Sequence, residues 1–146
     1  TSRFAIEPAV ARSFALCLRI PGWAGPQTQV RVNGEVVARG VPAGAFFELR
    51  RTWQRGDSVE ITFDMATRLE PLSAAHPEMV ALLHGPLALF AIDAPDAPLT
   101  SAALLSARRD AQGDWSVQAG DVPLRFKPFA AITNEHYRLY QRIVPG

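Results

Sequence analysis

The chain has 146 residues, 48% of them hydrophobic and 20% charged, and its 15 basic and 14 acidic side chains leave a net charge of +1. That length suits one domain and permits a real core, since folding at this size removes roughly 68–70% of the unfolded chain's surface from water. The near-neutral balance gives no field to gather nucleic acid or an anionic membrane, and no apolar run reaches the ~18 residues that suggest a membrane span.

The chain starts at Thr1 with no Met and no signal peptide, and a strand-like segment comes almost at once. This reads as a piece excised from a longer protein, so a targeting sequence could lie upstream. Phe14, Leu16, Leu18 and Ile20 alternate with Ala15, Cys17 and Arg19, the period-two signature of a strand with one buried face. Pro21-Gly22 stops it. Val30 and Val32 alternate with Arg31, Asn33-Gly34 offers two residues that tolerate positive φ, and Val36 and Val37 follow, which predicts a type I′ hairpin. Phe47 and Leu49 make another short strand. After Trp53, the turn Arg55-Gly56-Asp57 leads into Val59, Ile61 and Phe63 on one face and Ser58, Glu60 and Thr62 on the other.

The second half is less regular. Arg68 to Leu72 reads as a strand ending at a proline. Met79 to Leu83 is either a strand or a helical turn, because periodicity cannot separate the two over so short a run. Gly85-Pro86 breaks it. Residues 87–92 form a nearly continuous apolar run, as in a central strand buried on both faces. Residues 93–121 are rich in Ala, Asp and Pro, with strands expected around Leu104 and over Trp115 to Val117. Phe126, Pro128 and Phe129 follow, and the alternation of Tyr137, Leu139 and Gln141 with Arg138, Tyr140 and Arg142 suggests a closing strand. Twelve prolines against ten glycines suit many short elements. The expectation is an all-β, antiparallel β-sandwich, jelly-roll-like, forming a single domain over 1–146 with a less regular excursion at 93–121.

No catalytic constellation is visible. Cys17, the sole cysteine, excludes an internal disulfide and leaves cytoplasm, periplasm and secretion all open. It reads as a small hydrophobe mid-strand; a nucleophilic thiolate would need a cation, a helix N-terminus or a metal beside it. One cysteine cannot supply a thiolate-rich zinc site, and the spacing of His76, His84 and His136 fits no metal motif. Glycoside hydrolysis needs two carboxylates flanking the scissile bond. Glu48, Asp57, Glu60, Asp64 and Glu70 qualify by residue type alone, with Asp57 placed as a turn residue and Glu60 pointing outward. Asp110, Gly113 and Asp114 have a calcium-loop flavour without EF-hand spacing, and a polar surface turn explains them. Arg50-Arg51 and Arg108-Arg109 are too isolated for a nucleic-acid surface and read as solvated or paired with an acidic partner domain. Trp23, Trp53 and Trp115 could form a platform for sugar rings. Trp23 and Trp53 also fit as plugs at the sandwich corners. Trp115 lies in a polar stretch and is the better candidate for exposure.

These residues also carry a resemblance. The order Leu18-Arg19-Ile20-Pro21-Gly22-Trp23-Ala24, Val32-Asn33-Gly34, Trp53-Gln54-Arg55-Gly56-Asp57, Met65 with Arg68-Leu69, and His84-Gly85-Pro86-Leu87 resembles the C-terminal β-sandwich region of the glycoside hydrolase 127 family. That family contains β-L-arabinofuranosidases and many proteins long known only as a domain of unknown function. Lys127-Pro128-Phe129 through Tyr137-Arg138-Leu139-Tyr140 is similar to its closing segment. The resemblance implies that catalysis belongs to an N-terminal (α/α)6 barrel with a cysteine nucleophile, a glutamate acid/base and a zinc site of cysteines and a glutamate. No residue of this chain matches that set, so the resemblance implies no catalytic residue, metal or cofactor here. The chain would be an accessory module packing on the barrel, able to help assemble a homo-oligomer. The alternative is a carbohydrate-binding module with polysaccharide as its partner. Polysaccharide-degrading relatives are commonly periplasmic or secreted, while the residues leave the compartment unknown.

Overall fold

Period-two alternation lays strands over most of the chain, and the pairings between named strands are all antiparallel. The computed structural model describes residues 1–95, 99–120 and 122–145. They fall into two compact units, Thr1–Ala66 and Thr67–Gly146. Of the expected irregular stretch at 93–121, residues 96–98 and 121 lie outside the described residues.

The first unit is built from β1 (Ser2–Ile6), β2 (Arg12–Arg19), β3 (Gln29–Val32), β4 (Glu35–Arg39), β5 (Phe46–Trp53) and β6 (Asp57–Thr62). Strands β1, β6, β3 and β4 form one sheet in that order, and β2 and β5 form a separate ribbon. The inward residues of both layers meet in one core containing Leu18, Ile20, Val30, Val32, Trp53, Val59 and Ile61. Each fully buried aliphatic side chain there contributes about 1.5–3 kcal/mol relative to exposure. This is the sandwich packing that the alternation predicted. The β3–β4 turn places Asn33 at φ 51° and Gly34 at φ 85°, both positive as a type I′ turn requires. Asn33 also ties this turn to the next one. Its Nδ2 donates to Asp57 Oδ1 at 2.8 Å, and its Oδ1 accepts from the Ser58 amide at 2.8 Å.

The second unit holds β7 (Thr67–Ser73), β8 (His76–His84), β9 (Leu87–Ile92), α1 (Ser101–Leu105), β10 (Arg108–Arg109), β11 (Trp115–Ala119), β12 (Val122–Pro128), β13 (Tyr137–Arg138) and β14 (Tyr140–Arg142). A single curled sheet runs β10-β11-β12-β9-β8-β14, with β7 also on β8 and β13 also on β9. Its core gathers Val80, Leu82, Leu89, Ala91, Leu104, Trp115, Val117, Leu124 and Phe126. Met79 to Leu83 is thereby settled as strand.

Three expectations change. Leu104 lies in a helix, not a strand: Thr100 Oγ1 caps the Ala103 amide at 3.1 Å, and the Ser-Ala-Ala-Leu-Leu run propagates it. The closing strand is split, because Tyr137 pairs with Ile92 on β9 whereas Tyr140 pairs with Ala81 on β8. A clasp holds the break, in which Gln141 Nε2 donates to the Arg138 carbonyl at 3.0 Å and Arg138 Nε donates to Gln141 Oε1 at 3.1 Å. Finally, the outer face of β9 is only partly covered, with Ala88 and Phe90 half-buried and Ile92 buried. Leu89 and Ala91 enter the core on the other face, where Leu87, at the start of the strand, is exposed.

Candidate functional site

The residues singled out by type are dispersed, and each has a local structural reason for its place. Trp53 is fully buried on β5, where its Nε1 donates to the Phe14 carbonyl at 3.1 Å. Trp23 is half-buried and meets Phe63 edge-on at 5.3 Å. Both serve the core of the first unit. The exposure expected of Trp115 is not found: it is 6% exposed, inside the second unit's core. Alternation along β11 explains this, since Trp115 and Val117 point inward and Ser116 and Gln118 outward. The polar flanks misled because they belong to the opposite face.

Cys17 is exposed rather than buried, opposite Glu48 in the β2–β5 ladder. Leu16 and Leu18 take the inward side of that strand, which leaves position 17 facing outward. His76 and His84 sit at opposite ends of β8, roughly 26 Å apart at a strand rise of ~3.3 Å per residue. His76 approaches Glu78 at 3.5 Å. His84 packs at a 50° tilt against Trp115 with ring centroids 4.3 Å apart, and burial, then the nearby Arg109, hold its imidazole below the ordinary 6.5. His136 backs onto the Asp93 turn.

The carboxylates are similarly occupied. Glu60 pairs with Arg3 at 2.8 Å, Glu48 with Arg50 at 3.0 Å, and Glu70 with Arg68 at 3.8 Å. Asp57 closes its turn by accepting the Gln54 amide at 2.9 Å, and that bond, then the Asn33 side chain, holds its carboxyl below the usual range. Asp64 Oδ2 accepts the Gln27 amide at 3.0 Å. Asp110 Oδ1 accepts the Gln112 and Asp114 amides at 2.9 and 3.0 Å, which makes this segment a polar turn. Arg51 lies over the Trp53 ring at 5.2 Å, and Arg109 Nε donates to the Gly113 carbonyl at 3.3 Å. Among the described residues, no three His, Cys, Asp or Glu side chains are gathered so as to hold a metal ion. Nor is any helix among them long and apolar enough to cross a membrane.

One grouping was not foreseen. Phe90, Phe129 and Tyr137 converge on the outer side of β9, with Phe90 5.6 Å from each of the other two rings. Phe129 stands in a 3-10 turn after β12 and Tyr137 opens β13. The sequence shows both aromatics, but only the long-range pairing of β12 and β13 with β9 brings them together.

The named strands pair antiparallel, and Glu48, Asp57, Glu60, Asp64 and Glu70 are engaged in turns and surface pairs. Residues 1–65 match the family model described as the β-L-arabinofuranosidase, GH127 middle domain. The matching domain is the middle one rather than the C-terminal one. Turn motifs in a β-sandwich record a local geometry and carry no signal of where the domain lies in a longer chain. The same fold occurs in a GH127 β-L-arabinofuranosidase from Geobacillus stearothermophilus T6, with TM-score 0.75 and 24% identity over 97% of this chain and 28% of that one. It occurs in a structure described as a glycoside hydrolase, with TM-score 0.74 and 22% identity over 98% of this chain and 30% of that one. A GH127 β-arabinofuranosidase gives TM-score 0.62 and 24% identity over 97% of this chain and 29% of that one. At such identities the likeness is one of fold, and the chain spans less than a third of each of these proteins. No curated protein sequence matches it.

The described residues do not form a zinc site of the kind that the resemblance places in the barrel. Cys17 is the only thiol and stands alone on an exposed strand position. A structural or catalytic zinc needs three or four converging ligands.

Proposed function

We propose that this chain is a non-catalytic β module of a larger glycoside hydrolase 127-like enzyme, in which hydrolysis takes place in a helical (α/α)6 barrel that the module packs against. The observation that carries this reading is the match of residues 1–65 to a middle domain. The fold alignment supports it, because nearly all of this chain overlays less than a third of each solved enzyme. Any zinc and any nucleophilic cysteine belong to the barrel in this reading. The module's contribution is to cover and brace that barrel.

The test is the larger gene product. It should release L-arabinose from a β-L-arabinofuranoside, and zinc chelation should stop the reaction while leaving the melting of the isolated 146-residue chain unchanged. A larger product with no helical domain, or with arabinofuranosidase activity that survives cysteine replacement throughout the barrel, would refute the reading.

A further inference from the structure

Asn33 commits its backbone and both polar ends of its side-chain amide to the turn that precedes β6. Its backbone amide donates to the Ser58 carbonyl at 2.9 Å, its Oδ1 accepts the Ser58 amide at 2.8 Å, and its Nδ2 donates to Asp57 Oδ1 at 2.8 Å. The side-chain carbonyl thus stands in for a backbone carbonyl and carries the β3–β6 ladder one residue past the Val32–Val59 pair. Asp57 is fixed in its turn, because its other oxygen accepts the Gln54 amide at 2.9 Å. The Gln54 amide, then the Asn33 side chain, hold the Asp57 carboxyl below the usual range, so Asn33 faces a carboxylate.

The residue after Asn33 is Gly34, and that dipeptide is chemically reactive. A backbone nitrogen that follows asparagine can attack the side-chain Cγ and close a five-membered imide. A side chain on the following residue hinders the approach, and Gly34 has none. A Cβ built at Gly34 would meet no atom within 4 Å, and both residues are exposed, so water reaches the turn. In the attack the Gly34 N–Cγ bond forms as that nitrogen loses its proton, the Cγ–Nδ2 bond breaks, and the side-chain nitrogen leaves as ammonia. Water, the co-reactant, then opens the imide at one of its two carbonyls and leaves aspartate or isoaspartate. Nothing is oxidised or reduced.

The folded turn opposes that attack. Cγ must swing toward the Gly34 nitrogen, yet both polar atoms on it are held toward β6 by Asp57 and Ser58. The products do not fit the clasp. An aspartate oxygen in place of Nδ2 has no hydrogen to offer Asp57 Oδ1 and sets a second carboxylate against the first. Isoaspartate adds a carbon to the main chain inside a two-residue turn between paired strands.

We propose that Asn33 is a site of spontaneous deamidation, shut while the Asp57–Ser58 clasp holds its amide and open when the clasp is released, and that conversion unties the β3–β4 turn from the turn before β6.

The experiment incubates the 146-residue chain at neutral pH, folded and in concentrated urea, and follows the amide-to-acid mass gain by peptide mapping. Asn134, the only other asparagine, precedes Glu135 and is the internal reference. In urea, conversion at Asn33 should outrun that at Asn134. In the folded chain, conversion at Asn33 should be at least about tenfold slower than in urea. Asp57→Ser keeps a hydroxyl for the turn and removes the oxygen facing Asn33. It should speed conversion severalfold, read under conditions where circular dichroism shows both chains folded. Asn33→Asp, the product itself, should lower the urea midpoint, and that loss should shrink in the Asp57→Ser background. Equal rates in the folded and unfolded chain, conversion at Asn134 as fast as at Asn33 in urea, or a folded rate that Asp57→Ser leaves unmoved would overturn the gate. An Asn33→Asp midpoint equal to that of the unaltered chain, or a loss that persists in full without Asp57, would overturn the untying of the turns.

Discussion

At the level of single residues, Gly25 shows how little room the turns leave. A Cβ built at position 25 would lie 2.3 Å from Asp64 Oδ2. Asp64 cannot easily move away, because its carboxylate accepts the Gln27 amide and its backbone amide donates to the buried Thr28 hydroxyl at 3.1 Å. Gly25→Ala should therefore destabilise the first unit by about 1–3 kcal/mol, the usual cost of overpacking. Chemical denaturation should show that loss shrink when Asp64→Ala is already present. Trp53→Phe should cost about 1–3 kcal/mol, since it leaves the Phe14 carbonyl without its indole donor. A denaturation midpoint unchanged by Trp53→Phe would mean that this bond contributes nothing. Single residues were only partly legible in the sequence. The turn role of Asp57 follows from Arg-Gly-Asp, whereas Gly25 looked ordinary because its neighbour Asp64 is 39 positions away.

At the level of elements, the strands with clean alternation and explicit turn chemistry were readable, and those whose pairing is decided at long range were not. The Asn33-Gly34 hairpin is local, and both positive φ values follow from the two residue types. Gly34→Ala, at φ 85°, should cost about 1 kcal/mol or more and leave the strands paired. Residues 137–142 alternate as one strand does, yet the Arg138–Gln141 clasp divides them between β9 and β8, and nothing in the local pattern announces that. Helix α1 was obscured by its brevity. Its cap is nonetheless specific, and Thr100→Ala should destabilise the second unit by about 1 kcal/mol in thermal melts, with Thr100→Ser recovering most of the loss.

For the whole molecule, the titrating groups pull one way. His84 binds its proton less readily in the folded chain than its ordinary 6.5, so the stability it supports is complete above that pH and falls as pH drops below it. Glu135, held low chiefly by Lys127, and likewise Glu78 and Asp57, are depressed carboxyls. Their contribution is present above the ordinary carboxylate range and is lost on further acidification. Urea midpoints should therefore fall in two stages as pH goes from about 8 to about 3, with His84→Gln flattening the first stage; a midpoint that rises with acid would contradict the assignment. The all-β class was legible because alternation repeats through the chain. The aromatic face on β9 was not, since it depends on which strands become neighbours.

On the proposed function, the chemistry resides outside these 146 residues. Its most direct test is the rate at which the purified chain alone hydrolyses 4-nitrophenyl β-L-arabinofuranoside with zinc supplied. The predicted rate is that of buffer, at any protein concentration. A rate rising in proportion to the chain, and abolished by Cys17→Ala or by loss of one carboxylate, would place a working active site inside it.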